Sequence, residues 1–183
     1  MKKISKAKCS INGFKYPAAD KISSRISTIC RSMACTLLKR EACSLEDEKN
    51  WKQFFPNRTC AYCGGEASHL DHLYPLIKDR RPTGYWTEPA NLVPCCRECN
   101  QPKSNLTWDE YMNSEKCKHQ GDVADIRKRK EILSAFQAAM PAQKIEISED
   151  ILLKWDDMLG GFDAALQEAR NLLEEIQKNI YKE

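Results

Sequence analysis

The sequence predicts an α+β fold in which a small zinc-stapled core is embedded in a mainly α-helical chain. Two observations carry this prediction. Several long segments place apolar residues at steps of three and four, which is the period of a buried helix face. Between these segments lies a stretch with two CxxC pairs and two short runs typical of strands. The chain has 183 residues, which is enough for one such core with appendages.

The first helical segment is "DKISSRISTICRSMACTLLKR". Its apolar stripe consists of Ile22, Ile26, Ile29, Met33 and Leu37. Serine, threonine and arginine fill the positions between them, so the other face carries hydroxyl and guanidinium groups. Such a face suits contact with DNA phosphates, and it suits exposure to solvent equally well. The sequence leaves these two interpretations open.

Three further helices have recognisable ends. "SLEDEKNWKQFFPN" is predicted to form a short helix that Pro56 stops. Thr107, with Glu110 three residues later, has the spacing of a capping box, so "TWDEYMNS" should open another helix. "DVADIRKRKEILSAFQAAM" carries an apolar side and ends before Pro141.

The last segment is predicted to start at Ser148 as N-cap and to break at Gly160-Gly161. Beyond the glycines the apolar residues are spaced four and three apart, in a heptad-like seam. They are Phe162, Leu166, Ala169, Leu173, Ile176 and Ile180. Such a short seam suits packing within the chain or against a partner helix, and both interpretations stay open.

Charge is distributed unevenly along the chain. Residues 1–40 contain ten Lys or Arg and one acid, whereas residues 121–183 contain nine bases and thirteen acids. The basic end is predicted to face a polyanion, with a solvated basic tail as the alternative. The opening residues lack the apolar run of a signal peptide, and no segment approaches the roughly 20 apolar residues of a membrane span. We therefore expect a cytoplasmic protein without membrane association, in which closely spaced cysteines stay reduced and bind metal.

Four of the ten cysteines form the two CxxC pairs: Cys60, Cys63, Cys96 and Cys99. Each pair presents two sulfurs to one tetrahedral ion, and thiolates favour Zn²⁺. Cys95 could replace Cys96, but Cys96 keeps the two-residue spacing. Because four thiolates leave no open coordination position, this zinc is predicted to be structural. A second site built from Cys117 and His119 would lack convincing partners.

The segment between the cysteine pairs supplies other donors in a definite order. "SHLDHLYP" is predicted to form a strand that ends in Asp71-His72, and "NLVP" a second strand that follows Asn91. Asn100 comes directly after the last cysteine, and Lys103 lies one turn into a helix from Arg97 that Pro102 kinks or restarts. This arrangement resembles the HNH nuclease family, whose fold is the ββα-metal motif. The likeness spans about a quarter of the chain and fills every motif position in order.

The resemblance implies a role for each of these residues. His72 would be the general base, since an imidazole accepts a proton near neutral pH. Asp71 and Asn100 would ligate a catalytic Mg²⁺, with Mn²⁺ as a substitute. Asn91 would hydrogen bond across the loop and keep His72 aimed. The candidate DNA contacts are Lys103 and Arg97 in the helix, Arg80 and Arg81 in the loop, and Arg25 and Arg31 in the first helix.

The implied function is a metal-dependent endonuclease that leaves 5′-phosphate and 3′-hydroxyl ends on double-stranded DNA. The loop is most similar to restriction-type members, which suggests a sequence-specific type II restriction enzyme acting as a homodimer. The alternatives are a nicking, homing or structure-specific nuclease, or a zinc-framed binding module without catalysis. We predict three regions: a basic DNA-contacting helical part (1–58), the nuclease core (59–106) and a helical C-terminal part for dimerisation (107–183).

Overall fold

A computed structural model describes residues 10–11, 14–15, 22–37, 42–117 and 123–180. Its helices are α1 (Ile22–Leu37), α2 (Leu45–Phe54), α3 (Arg97–Lys103), α4 (Trp108–Met112), α5 (Val123–Ala139) and α6 (Glu149–Ile180). Its strands are β1 (Ser10–Ile11), β2 (Phe14–Lys15), β3 (His69–His72), β4 (Ile77–Lys78), β5 (Arg81–Pro82) and β6 (Leu92–Cys95). The strands pair as β1-β2, β3-β6 and β4-β5, all antiparallel. The predicted mixture of helices and small sheets is confirmed.

Strands β3 and β6 bring the two ends of the cysteine-framed segment together. In their register, Asp71 lies opposite Val93 and His72 opposite Leu92. Chain direction then turns at Cys96, the residue before α3, so both cysteine pairs lie at one end of the strand pair. Pro102 lies inside the last turn of α3, where the helix is about to end, and α3 still reaches Lys103. Both predicted strands are confirmed.

The main hydrophobic core surrounds this unit. Helix α2 has a capping box between Ser44 and Asp47, and its Trp51 indole donates to the Leu92 carbonyl at 2.8 Å. Helix α4 has the predicted capping box between Thr107 and Glu110. Helix α5 contributes Leu133 and Phe136 to the same core, and Met140, directly after the helix, joins them. Segments before and after the cysteine-framed stretch therefore complete a core that is too small to form from that stretch alone.

A second, smaller core joins α1 to α6. Ile26 and Cys30 of α1 are buried against Leu159 of α6. The partly buried residues around them are Ile29, Ile77, Trp155, Phe162 and Leu166. This contact places the basic α1 beside the β4-β5 hairpin, because Ile77 of β4 joins the same cluster. The two cores thus combine segments from all three predicted regions.

Helix α6 is continuous, and the predicted break at Gly160-Gly161 is wrong. The helix runs through both glycines, and nothing lies within 4 Å of the Cβ position of either one. Each glycine costs a helix about 1 kcal/mol relative to alanine. Packing of Leu159 and Phe162 on either side offsets that cost. The heptad-like seam is divided, because Phe162 and Leu166 pack against the core between α1 and α6 while Leu173 and Ile176 are exposed.

No helix within the described ranges combines the length and the apolar character needed to cross a bilayer. His119 lies outside the described residues, so the structure does not test the alternative metal site with Cys117. Cys117 itself contacts the Met112 sulfur at 3.7 Å.

Candidate functional site

The four predicted cysteines form one cluster. The sulfurs of Cys60, Cys63, Cys96 and Cys99 all lie within 4.8 Å of one another, and the Cys63 and Cys96 sulfurs are 3.8 Å apart. A tetrahedral zinc with Zn–S bonds of about 2.3 Å requires sulfurs about 3.8 Å apart, so the donor set and its spacing fit that ion. The prediction that these thiols can hold a metal ion such as zinc is confirmed, with Cys96 rather than Cys95 in the cluster.

The backbone and a neighbouring thiol support this cluster. The Gly65 amide donates to the Cys63 sulfur at 3.4 Å, as expected for a knuckle after a CxxC pair. Gly64 has φ of 77°, a backbone conformation that strains any residue with a Cβ, so this position favours glycine. Hydrogen bonds from Cys95 and Cys99 lower the pKa of the Cys60 thiol, which favours the thiolate form that binds zinc.

Asp71 lies at the end of β3, with two donors on one of its oxygens. The Tyr62 hydroxyl donates to Oδ2 at 2.8 Å, and the Lys103 ammonium lies 3.0 Å from the same atom. Burial and the nearby Asp71 charge raise the pKa of Tyr62 well above its usual value, so its hydroxyl remains a donor. No residue in the described parts of the chain donates to Oδ1 of Asp71. One carboxylate oxygen is therefore fixed and the other is available.

His72 is the last residue of β3, and Asn91 directly precedes β6. The His72 Nε2 is 2.9 Å from the Thr87 hydroxyl. Asn91 is fully buried; its Oδ1 accepts from the Tyr74 amide at 2.8 Å, and its Nδ2 donates to the Tyr74 and Trp86 carbonyls. These are the cross-loop hydrogen bonds expected of Asn91. They fix the residues that directly follow His72.

A groove of about 520 Å³ brings the predicted catalytic residues together. Asp71 and His72 from β3 line it, as does Asn100 from α3. The Asn100 carboxamide has no hydrogen-bond partner among the described residues, which leaves its oxygen available as a ligand. Helix α1 supplies another part of the lining. A carboxylate oxygen, an imidazole and a carboxamide thus share one cavity, and Asn100 directly follows Cys99 of the four-cysteine cluster.

Lys103 occupies a different position from the one predicted. Its side chain is fully buried, and Nζ donates to the His72 carbonyl at 2.7 Å besides pairing with Asp71. Lys103 was predicted to be exposed and to contact a DNA phosphate. In the structure its ammonium is instead a buried counterion of the Asp71 carboxylate. The reason is that Lys103, the last residue of α3, reaches the His72 carbonyl and the Asp71 carboxylate of β3, and these contacts hold its ammonium away from solvent.

The loop arginines are paired with acidic residues of α6. Arg81 makes a bidentate contact with Asp156, and Arg80 pairs with Asp163 at 2.5 Å. These contacts differ from the predicted role of both arginines as DNA ligands, although Arg80 also lines the groove. Arg25, Arg31 and Arg97 are exposed. Of these three, Arg31 lines the groove.

Sequence reasoning missed three residues around the site. Tyr62 lies inside the first CxxC and holds Asp71, while Tyr111 hydrogen bonds to the Cys99 sulfur. Thr87 contacts the His72 imidazole. Of the three, only Tyr62 has a sequence feature that could have identified it. It lies between two predicted zinc ligands, and a tyrosine hydroxyl buried there needs a hydrogen-bond partner. Nothing in the sequence around Thr87 singles it out.

Replacing Lys103 with methionine is expected to lower the free energy of unfolding by about 3–5 kcal/mol, because it leaves the Asp71 carboxylate buried without its cation. Urea denaturation of the zinc-loaded chain measures this change. The double variant K103M/D71N is the control: it removes both charges and should recover part of the loss. A denaturation midpoint for K103M equal to that of the wild type would mean that the pair contributes nothing.

No family model, curated protein or solved structure matches this chain. Any assignment of function therefore has to come from the geometry of its own residues.

Proposed function

We propose that the protein is a metal-dependent DNA endonuclease of the HNH type, with β3, β6 and α3 as its ββα-metal core. The observation that carries the proposal is the single groove shared by Asp71, His72 and Asn100 next to four cysteines able to bind zinc. A binding module with no chemistry to perform has no need of an imidazole and two unpaired oxygen donors in one cavity.

The proposed reaction is hydrolysis of a phosphodiester. His72 accepts a proton from a water molecule, whose oxygen forms a bond to phosphorus while the bond from phosphorus to the 3′ oxygen breaks. The leaving oxygen takes a proton from solvent, which gives a 5′-phosphate and a 3′-hydroxyl. Asn91 holds the chain after His72 and so fixes the position of the imidazole. Thr87 is within hydrogen-bond distance of Nε2, which orients the ring.

A hard divalent cation fits the remaining donors. Oδ1 of Asp71 and the oxygen of Asn100 would hold Mg²⁺ or Mn²⁺, which prefer oxygen ligands. When bound, the ion neutralises charge on the phosphate and on the leaving oxygen. Tyr62 and Lys103 occupy Oδ2 of Asp71, so the side chain would bind through one oxygen.

The biological form that we propose is a type II restriction enzyme acting as a homodimer on double-stranded DNA. Support for a dimer comes from the exposed apolar residues on the last turns of α6, Leu172, Leu173 and Ile176. Two-fold symmetry would place one groove on each strand of a palindromic site. Nicking, homing and structure-specific cleavage use the same chemistry and are separated by the products.

A zinc-framed DNA-binding module without catalysis is the second candidate. The contact that favours it is the Lys103 ammonium 3.0 Å from Asp71, since a lysine already balances the charge that a catalytic cation would need. The two candidates differ in one observable, because the module would bind DNA and never cut it.

Purified protein incubated with mixed-sequence plasmids and excess Mg²⁺ is expected to produce discrete double-strand fragments. Omitting Mg²⁺ should leave the plasmid intact, because Asp71 and Asn100 alone cannot neutralise the phosphate. Sequencing the ends identifies the site and the 5′-phosphate. Scattered nicks would contradict the restriction assignment, and an intact plasmid at all Mg²⁺ and Mn²⁺ concentrations would contradict catalysis.

A further inference from the structure

The groove has a second side, which α1 forms. The α1 residues that line it are Ser27, Thr28, Arg31 and Cys35. They follow one another at steps of one, three and four, so they share one face of the helix. Burial of Ile26 and Cys30 against α6 fixes this orientation. Two hydroxyls and a guanidinium are therefore held on the side of the groove away from β3.

Arg25 lies on a different face of α1. Residues six apart in a helix are separated by about 120° around its axis. Accordingly Arg31 lines the groove, whereas Arg25 is exposed and lies outside its lining. The structure thus distinguishes two arginines that the sequence treated alike.

Arg80 brings a second guanidinium to the same groove. It lies at the turn of the β4-β5 hairpin with φ of 68°, and its carbonyl accepts from the Trp155 indole at 2.8 Å. Its Nη2 pairs with Asp163, yet its Nε is buried and has no hydrogen-bond partner in the described parts of the chain. A buried N–H without an acceptor is destabilising, and an acceptor in the groove would relieve this after a small rotation of the guanidinium.

Arg81 does not share this position. Its guanidinium is bidentate to Asp156 and 3.9 Å from Glu149, and it is not part of the groove lining. The bidentate contact raises the pKa of Arg81 and identifies it as a structural residue that ties the hairpin to α6.

We propose that Arg31 and Arg80 form a second phosphate-binding position, which holds a backbone phosphate next to the one that is cleaved. The inference rests on the proposed nuclease function and extends it to the α1 side of the groove. On the catalytic side the charges of Lys103 and Asp71 cancel, so these two residues leave no positive charge for flanking phosphates. Guanidinium groups suit phosphate oxygens because they donate from a planar fork. Ser27 and Thr28 add hydroxyl donors beside Arg31.

The test compares the salt dependence of binding to a mixed-sequence duplex, measured without Mg²⁺ so that no cleavage occurs. Each lost phosphate contact should reduce the slope of log K against log salt by about 0.9. We expect that reduction for R31A and R80A. The matched control R25A should keep the wild-type slope, and so should D163N, which breaks the ion pair but keeps Arg80.

Two outcomes would overturn the proposal: slopes for R31A and R25A that are the same, or an R31A slope equal to that of the wild type. Because R80A also removes the ion pair with Asp163, its thermal unfolding is recorded. If R80A unfolds at a lower temperature than the wild type, the comparison of R31A with R25A is the deciding test. Wild-type cleavage of plasmid with Mg²⁺ is scored separately. If R31A shows the expected reduction in slope but the wild type does not cleave the plasmid, the nuclease function is refuted and this phosphate-binding position stands.

Discussion

Replacing His72 with alanine is expected to lower the rate of Mg²⁺-dependent plasmid cleavage by about 10²- to 10⁴-fold, which is the usual contribution of a general base. His72 lines the groove beside Asp71 and Asn100, whereas His69 of the same strand is exposed and contacts Ser68 at 2.7 Å. Single-turnover cleavage of a supercoiled plasmid measures the effect. Zinc content and DNA affinity should stay at their wild-type values.

The matched control is H69A, which removes an imidazole from the same strand without touching the groove. Its cleavage rate should equal that of the wild type. If H72A cuts as fast as H69A in the presence of Mg²⁺, another group takes the proton and the assignment of the base is wrong. If both variants lose zinc, the strand has been disrupted and the comparison is repeated with H72Q, which keeps a polar side chain of similar length.

Replacing Cys96 with alanine is expected to reduce the bound zinc from about one ion per chain to nearly none, because it removes one of four thiolates from the cluster. Zinc binding in small domains contributes about 10–16 kcal/mol, which is comparable to the whole stability of a typical domain of about 5–15 kcal/mol. We therefore expect the β3-β6 core to unfold. Mass spectrometry under native conditions gives the zinc content, and circular dichroism gives the unfolding.

Cys95 provides the control within the same dipeptide. Its sulfur is buried and 3.1 Å from the Cys96 carbonyl, outside the four-sulfur cluster. The C95A variant should keep its zinc and lose the packing of one small side chain and its hydrogen bond to Cys60. Zinc retained by C96A and lost by C95A would reverse the ligand assignment.

Local signals predicted the elements well where one residue determines the backbone. The Thr107–Glu110 capping box starts α4, and Pro56 and Pro141 lie just beyond the ends of α2 and α5. The four zinc-type cysteines were predictable for the same reason, since a CxxC turn is local geometry. Capping boxes, helix-ending prolines and CxxC turns depend only on residues that are close in the sequence, so they can be predicted without knowledge of the tertiary structure.

The partners of the charged residues were not predictable. Lys103 meets Asp71 across 32 positions, and Arg81 meets Asp156 across 75. Their choice of partner depends on contacts between segments that are distant in the sequence, namely Lys103 of α3 with β3 and helix α6 with the hairpin, which no local pattern encodes. A basic residue near a nuclease-like motif therefore looks the same in the sequence whether it contacts DNA or a carboxylate.

The predicted break in α6 failed for a related reason. Glycine propensity is a weak local preference, and the apolar contacts of Leu159 and Phe162 with α1 outweigh it. The contacts involve residues more than 100 positions earlier in the chain, so their effect on the helix was invisible to a local reading.

The packing of α1 against α6 also determines the stage of synthesis at which the groove can form. Ribosomes release a chain from its N-terminus onwards, so Ile26 and Cys30 emerge long before Leu159, the residue that covers them. Until the last helix has been made, α1 has no apolar surface of α6 to dock on and the groove lacks one of its sides. The α1 side of the groove can therefore be completed only after α6 has been synthesised and has docked on α1.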